Sequence, residues 1–372
     1  MRRLGLRLRA GWVTLTGTGA GATVAFGLLV FVAVLASLAI PRESAGLANE
    51  ALQRVVAASQ PAHRTVIGTV PETSISDETG QVQAADIAAV GASLRARLAA
   101  AGLPVASDPP AWASLTTESV PVTGAARAAG DGPPQFELTY RTELARYSQL
   151  VAGRLPAGRA RPGTQAAAQA AVTTATAARF GLKVGTRLTA GKMRLVVTGI
   201  IRPADPAAAF WTQSAAAVSP VLAQGSSAQP YWSGAVFIGA GALPPIESAL
   251  GPSEMEVTWV YAAALGGLNA AEVSNLDASL DSMASSGATF LSSGIPITAA
   301  VTSQIPTVLA PFLAGESAAA PVLELLYVSL AVLGAVVVLL GARLVAQRRA
   351  ADCTPASTRR WTGPAGFSCR AR

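Results

Sequence analysis

Ala175-Thr176-Ala177-Ala178-Arg179-Phe180-Gly181-Leu182-Lys183-Val184-Gly185-Thr186-Arg187-Leu188, followed shortly by Val196-Val197-Thr198-Gly199-Ile200-Ile201-Arg202-Pro203, decides the fold class. An alanine-rich helix, read over Ala166 to Phe180, is closed by Gly181, which can take the positive φ that ends many helices because it has no Cβ to clash. Gly185 supplies a turn. Thr186 to Thr189 and Arg194 to Ile201 then read as β-rich pieces joined by Ala190, Gly191 and Lys192, a length and composition that suit a hairpin. Pro203 and Pro206 stop the pattern.

Outward from this centre, helices and strands continue to mix. Ser44 to Ser59 has a helical stripe of Leu47, Ala51, Val55 and Ala58, and Gln83 to Leu103 has one of Ile87, Val90, Leu94, Leu98 and Ala101. Arg64 to Val70, Ala113 to Thr123, Gln135 to Thr142, Gly234 to Ile238 and Glu256 to Ala262 read as strands. Pro71 to Gly80 and Gly124 to Pro134 are turn-rich loops. Asn269 with Glu272 three residues later has the spacing of a capping box and opens a helix to about Met283. Val301 to Leu313 is the last piece before an apolar run. With no steady βαβ rhythm, the class expected is α+β.

Apolar runs lie at both ends. No charge falls between Arg9 and Arg42, and Gly19 to Ile40 exceeds the roughly 20 apolar residues that cross a bilayer. The second run, between Glu324 and Arg343, is at the short end of a span. Arg2, Arg3, Arg7 and Arg9 flank the first run, and seven arginines against Asp352 follow the second, whereas residues 41–320 hold 17 basic side chains against 19 acids. Positive charge confined to the flanks predicts cytoplasmic termini and an exported centre. It also argues against a nucleic-acid protein, which carries its cations on the folded domain. A cleaved signal peptide is the alternative for the first run, with Ser37-Leu38-Ala39 as an acceptable site, but the run is longer than a signal core. Gly17 and Gly21, like Gly334 and Gly341, suit a close helix contact; a dinucleotide fingerprint needs a strand that is absent there.

The expected organisation is a basic cytoplasmic N-terminus (1–18), a membrane helix (19–40) and an extracytoplasmic domain (41–317) of two lobes joined near 203–233. A second membrane helix (318–344) and an irregular cytoplasmic tail (345–372) follow. Both cysteines, Cys353 and Cys369, fall in the tail, so the outer domain relies on its own core.

Catalytic chemistry is not readable. His63 is the only imidazole and has no second ligand at metal spacing. There is no Gly-x-Ser-x-Gly elbow, no Ser-x-x-Lys at Lys183 or Lys192, and no phosphate-binding glycine loop. Glu254 and Glu256 read as a solvated strand start, and Trp211 and Trp232 as anchors of lobe contacts. No catalytic, cofactor-binding or metal residue is assigned, no cofactor is expected, and the chain is read as a non-enzyme.

Leu150-Val151-Ala152-Gly153-Arg154-Leu155-Pro156, the two segments quoted at the outset, and Asp205 through Phe210-Trp211 together resemble the outer domain of FtsX-like, MacB-type ABC transporter permeases. The resemblance covers the first span, the outer domain and the second span, and its motifs shape a fold. It implies a MacB-like periplasmic-core-type domain in the cell membrane that works beside a separate cytoplasmic ABC ATPase, whose ATP-driven changes it relays outward. Such permeases continue into further membrane helices, whereas this sequence ends at Arg372, so the expectation is a truncated or frame-shifted permease. The partners expected are that ATPase, membrane lipid, and a second copy or second permease; nucleic acid is not among them. The alternative reading is a two-span extracytoplasmic adaptor or sensor that binds an envelope protein or ligand without an ATPase.

Overall fold

The computed structural model describes Gly27, Phe31 and residues 45–76, 81–107, 111–126, 132–156, 167–224, 229–244, 246–250 and 255–352. The rest of the first apolar run, residues 77–80 of the first loop, Glu254, and the tail from Cys353 to Arg372 lie outside the described residues. Residues 48–314 form one compact unit, and 1–47 with 315–372 form another.

In chain order the elements are helix α1 (45–58), β1 (Thr65–Pro71), α2 (Ala84–Ala100), β2 (Trp112–Thr123), β3 (Gln135–Arg141), β4 (Ser148–Gly153) and β5 (Ala168–Thr173). There follow α3 (Thr174–Phe180), β6 (Arg187–Ala190), β7 (Met193–Pro203), β8 (Val221–Gln224), β9 (Pro230–Ile238), β10 (Glu256–Ala262), α4 (Ala270–Ser286), β11 (Ala288–Ser292), β12 (Ile295–Ser303) and α5 (Ile305–Asp352). The mixture of a large, mainly antiparallel sheet with packed helices is α+β, as the sequence predicts.

The hairpin at the centre forms as expected. β6 and β7 pair with Ala190 opposite Met193, and Gly191 turns the chain at φ +57°. The segment before it corrects the reading. Ala166 to Phe180 is expected to be all helix, yet its first part is strand β5, and only α3 is helical, closed by Gly181 at φ +63°. The reason is tertiary: β5 lies between β7 and β9, so Ala170, Ala171 and Val172 are fully buried, and that burial overrides alanine's helix preference. Thr173 marks the switch, its Oγ1 accepting the N–H of Thr176 at 3.2 Å.

β7 organises one half of the unit. β5 runs parallel along one side, and β6 and then β4 pair with it antiparallel. From β7 the ladder passes through β5, β9, β3 and β2, and Val122 and Thr123 of β2 pair with Ala190 and Thr189 of β6, closing a ring of six strands. Phe136, Leu138, Val172, Leu188, Leu195, Val197 and Val236 are buried in the main core of this barrel-like half. Closure pairs each of the six ring strands on both sides over part of its length, whereas β4 and β8 lie outside the ring.

The other half is layered. Antiparallel β11, β12, β1, β10 and the start of β2 extend the sheet, with α2 packed against β11 and β10 and α4 against β12. Ile87, Val90, Leu94 and Leu98 of α2 are buried, the face its spacing predicts, and so are Val273, Leu276, Leu280 and Met283 of α4. At the starts of these helices, Asp86 accepts the N–H of Gln83 at 3.0 Å and Glu272 that of Asn269 at 3.1 Å. Trp259 and Tyr261 of β10 donate to the carbonyls of Ile87 and Gly91 at 2.9 and 2.7 Å and stitch strand to helix. Burial raises the pKa of the Tyr261 phenol well above its ordinary value, with Arg95 opposing, so the hydroxyl keeps the proton it donates to Gly91.

The β11–β12 hairpin, β4 and β8 are strands the sequence reading does not contain. α5 continues to Asp352, into the stretch expected to be irregular.

Candidate functional site

β3 carries two faces. Phe136 and Leu138 point into the main core, so the alternate residues Glu137, Thr139 and Arg141 face the other side of the sheet. That side is covered by a second apolar cluster of Trp112, Phe210, Trp211, Phe237 and Val260. The one-turn helix Ala209–Thr212 delivers Phe210 and Trp211 from the proline- and alanine-rich stretch after β7. Trp211 is fixed by donating Nε1–H to the carbonyl of Tyr147 at 2.9 Å.

Arg141 lies inside this cluster and is buried. Its guanidinium carbon sits 4.9 Å from the Trp112 ring centroid, 5.0 Å from that of Phe210 and 5.8 Å from that of Phe237. Nη1 donates to the carbonyl of Phe210, and Nε has no hydrogen-bond partner among the described residues. The ring faces therefore replace part of the lost water, each such contact being worth about 1–2 kcal/mol when desolvated. Burial lowers the Arg141 pKa to about 10, with Glu137 opposing, and the group stays cationic at neutral pH. Glu137 accepts a hydrogen bond from Ser214 Oγ at 3.2 Å. Burial nevertheless raises its pKa above the ordinary carboxylate value, against the lowering effects of Ser214 and Arg141.

The rings stack outward from the arginine. Phe210 and Tyr147 are parallel at 4.3 Å, Phe210 meets Trp112 and Trp211 edge to face at 5.1 Å, and Trp211 meets Phe237 at 5.6 Å. Trp112, Tyr147 and Phe210 also line a cleft of about 380 Å³, together with Arg64 and Asp205 as its charged lining residues and the 262–266 segment. The cleft has the size of a small-molecule site but no paired nucleophile and base. Among the described residues, no three His, Cys, Asp or Glu side chains gather to hold a metal ion.

The structure separates the residues singled out in the sequence. His63 lies in the short turn Pro61–Arg64. Trp211 belongs to the arginine cluster, whereas Trp232 packs against the main core with the Arg179 guanidinium 4.0 Å above its ring. The Gly181 and Gly185 motif and Val196 to Pro203 build the barrel. Arg141, Trp112, Tyr147 and Phe237 are missed by sequence reasoning. The available signal was parity: an arginine two and four residues from Thr139 and Glu137 marks one strand face, but nothing local says that the face is covered.

No known protein family matches the chain, and no curated protein matches it in sequence. Among solved structures, the periplasmic region of MacB from Actinobacillus actinomycetemcomitans is 10% identical, with 66% of this chain and 91% of that one covered at a TM-score of 0.29. A permease-protein domain from Porphyromonas gingivalis is 14% identical over 61% of this chain and 86% of that one, with a TM-score of 0.26. The extracellular domain of the noncanonic ABC-type transporter YknZ from Gram-positive bacteria is 9% identical over 57% and 88%, with a TM-score of 0.25. At these values they carry no weight for function.

Proposed function

We propose that the chain is a permease-type membrane subunit of an ABC transporter, which relays ATP-driven changes of a separate cytoplasmic ATPase to an extracytoplasmic domain spanning 41–317. α5 carries this reading. Its first turns place Ile305, Leu309 and Phe312 in the core of the 48–314 unit. Further along, Leu325, Leu326 and Val328 are 72, 59 and 60% exposed, and large apolar side chains continue on all sides to Leu340. A helix apolar all round suits hydrocarbon better than water, and α5 is long and apolar enough to cross a membrane. One uninterrupted helix that begins in a folded core and continues as a span is the mechanical element such a relay needs. Pro311 and Pro321 within it each lack a backbone donor and mark its softest points. The motif resemblance between Leu150 and Trp211 supports the same class, and the basic flanks support cytoplasmic termini.

Two measurements test the reading. Cys353 and Cys369 should resist a membrane-impermeant maleimide in intact cells and react after permeabilisation; labelling of intact cells refutes the orientation. Full-length tagged chain purified with and without ATP should bring down a P-loop protein whose ATP hydrolysis changes when the chain is present. Correct topology without such a protein leaves the adaptor reading.

A further inference from the structure

The near-neutral charge of the 41–320 segment conceals a segregation. Residues 144–250, which hold β4 to β9, carry ten basic side chains against Asp205 and Glu247 alone, whereas 41–143 and 251–320 together carry seven against seventeen acids. The basic segment also contains an open strand. Among the described residues β4 pairs only with β7, so its other edge has backbone donors and acceptors with no ladder partner. Along this edge Leu150 and Val151 are 48 and 55% exposed, and Val184, beside Gly153, is 47% exposed.

Cations continue the same strip. The N–H of Arg154, just past β4, bonds the carbonyl of Thr198, and the next carbonyl, of Val197, accepts from Gly185 in the Lys183–Gly185 turn. Arg187 follows opposite Val196. Arg154, Lys183 and Arg187 are exposed and have no ion pair among the described residues. Arg202 stands across from Gln149 and donates to its Oε1 at 2.6 Å.

An exposed apolar edge strand is normally a hazard, because any other strand can add to it. Here the cations limit the choice. A second copy pairing β4 with β4 would bring two strongly basic segments together, ten cations against two acids in each, and like charges at an interface cost several kcal/mol. An acidic strand meets the opposite situation: its backbone completes the ladder, its apolar side chains cover Leu150, Val151 and Val184, and its carboxylates reach the guanidinium and ammonium groups. We propose that β4 is a docking edge for an extended acidic polypeptide segment of a partner protein, bound by strand addition.

The test uses the full chain in detergent and a short acetylated peptide of alternating glutamate and valine. The expected result is binding that weakens as salt is raised, with slowed amide exchange at 148–153. The exposed double substitution R154E/K183E should weaken binding about tenfold or more while leaving the circular dichroism unchanged. The same peptide with alternate backbone N-methyl groups keeps its charge but loses strand pairing, so it should not bind. The proposal is overturned by no binding of the parent peptide, by equal binding of the N-methylated or a lysine–valine peptide, or by protection outside 148–153. It is equally overturned if 148–153 becomes protected with rising protein concentration and no peptide, which would make the edge a contact between copies. None of these readouts depends on the orientation in the membrane or on an ATPase, so this inference and the transporter reading fail separately.

Discussion

The barrel-like half and the layered half solve the same burial problem differently, and their glycines show how. At the edge of the barrel-like half, a Cβ placed on Gly153 of β4 would stand 2.1 Å from the carbonyl oxygen of Thr198, and Gly153 has φ +75°. In the layered half, a Cβ on Gly68 would meet the side chain of Leu94, its Cδ2 at 2.4 Å. Backbone fits against backbone where β4 meets β7, and side chain packs on strand where Leu94 of α2 meets β1. The β4–β7 ladder cannot yield without breaking hydrogen bonds, whereas a leucine can change rotamer.

The largest expected effect follows from that contrast. Gly153→Ala imposes both a left-handed backbone on a Cβ-bearing residue and a clash with a carbonyl, so it should cost at least about 4 kcal/mol and detach β4 from β7. Chemical denaturation of the full chain in detergent, with amide exchange at 148–153, measures both; a loss below about 1 kcal/mol would show that the β4 end yields as easily as a side chain.

The arginine cluster tests whether the second core is held by charge or by packing. Arg141→Ala should cost about 2–4 kcal/mol, since it empties the space between three aromatic rings. Arg141→Met keeps an unbranched stem without the unpartnered Nε, and should recover more than half of that loss, as buried ionic groups often do when replaced by apolar ones of similar volume. If methionine is as damaging as alanine, the cation–π contacts hold the Phe210–Trp211 helix. Gly68→Ala completes the comparison at about 1–2 kcal/mol, an overpacking cost that Leu94→Val should partly relieve in the double variant. Denaturation midpoints of the single and double variants decide it.

Which parts were readable in the sequence follows the same division. The layered half was legible: α2 and α4 have apolar stripes at helical spacing and acidic caps, and β10 was bounded to the residue, Glu256 to Ala262. Its β11–β12 hairpin was missed despite Ser293 at φ +50° and Gly294 at φ +82° in the turn, because serine, threonine and alanine give a weak strand pattern. In the barrel, β6, β7 and β3 have clear alternation, whereas β5 is Ala-Gln-Ala-Ala-Val-Thr, a helix by propensity. It is a strand only because β7 and β9, distant in sequence, close over it. The cluster around Arg141 was invisible for the same reason: Trp112 and Phe210 lie 29 and 69 residues away, and covalent order says nothing about which strand face they cover.

The smallest expected effect sharpens how that hidden face is balanced. Glu137 lies on the same side of β3 as Arg141, and burial raises its pKa although Ser214 and Arg141 lower it. The folded state thus holds this proton to a higher pH than the unfolded chain, whose carboxyl titrates near the ordinary value of 4.5. Between the two values the folded state binds more protons, so stability falls as pH rises through that window, and the penalty is fully present above the folded pKa. Glu137→Gln keeps an acceptor for Ser214 without the charge. The variant should therefore be slightly more stable than the parent at neutral pH, with the difference closing as the pH drops below 4.5, where the parent carboxyl is neutral as well. Melting temperatures of the two chains across this range measure the difference directly. A variant less stable at neutral pH would mean that the attraction between Glu137 and Arg141 outweighs the burial of both, and that the face opposite the main core is held by an ion pair more than by its rings.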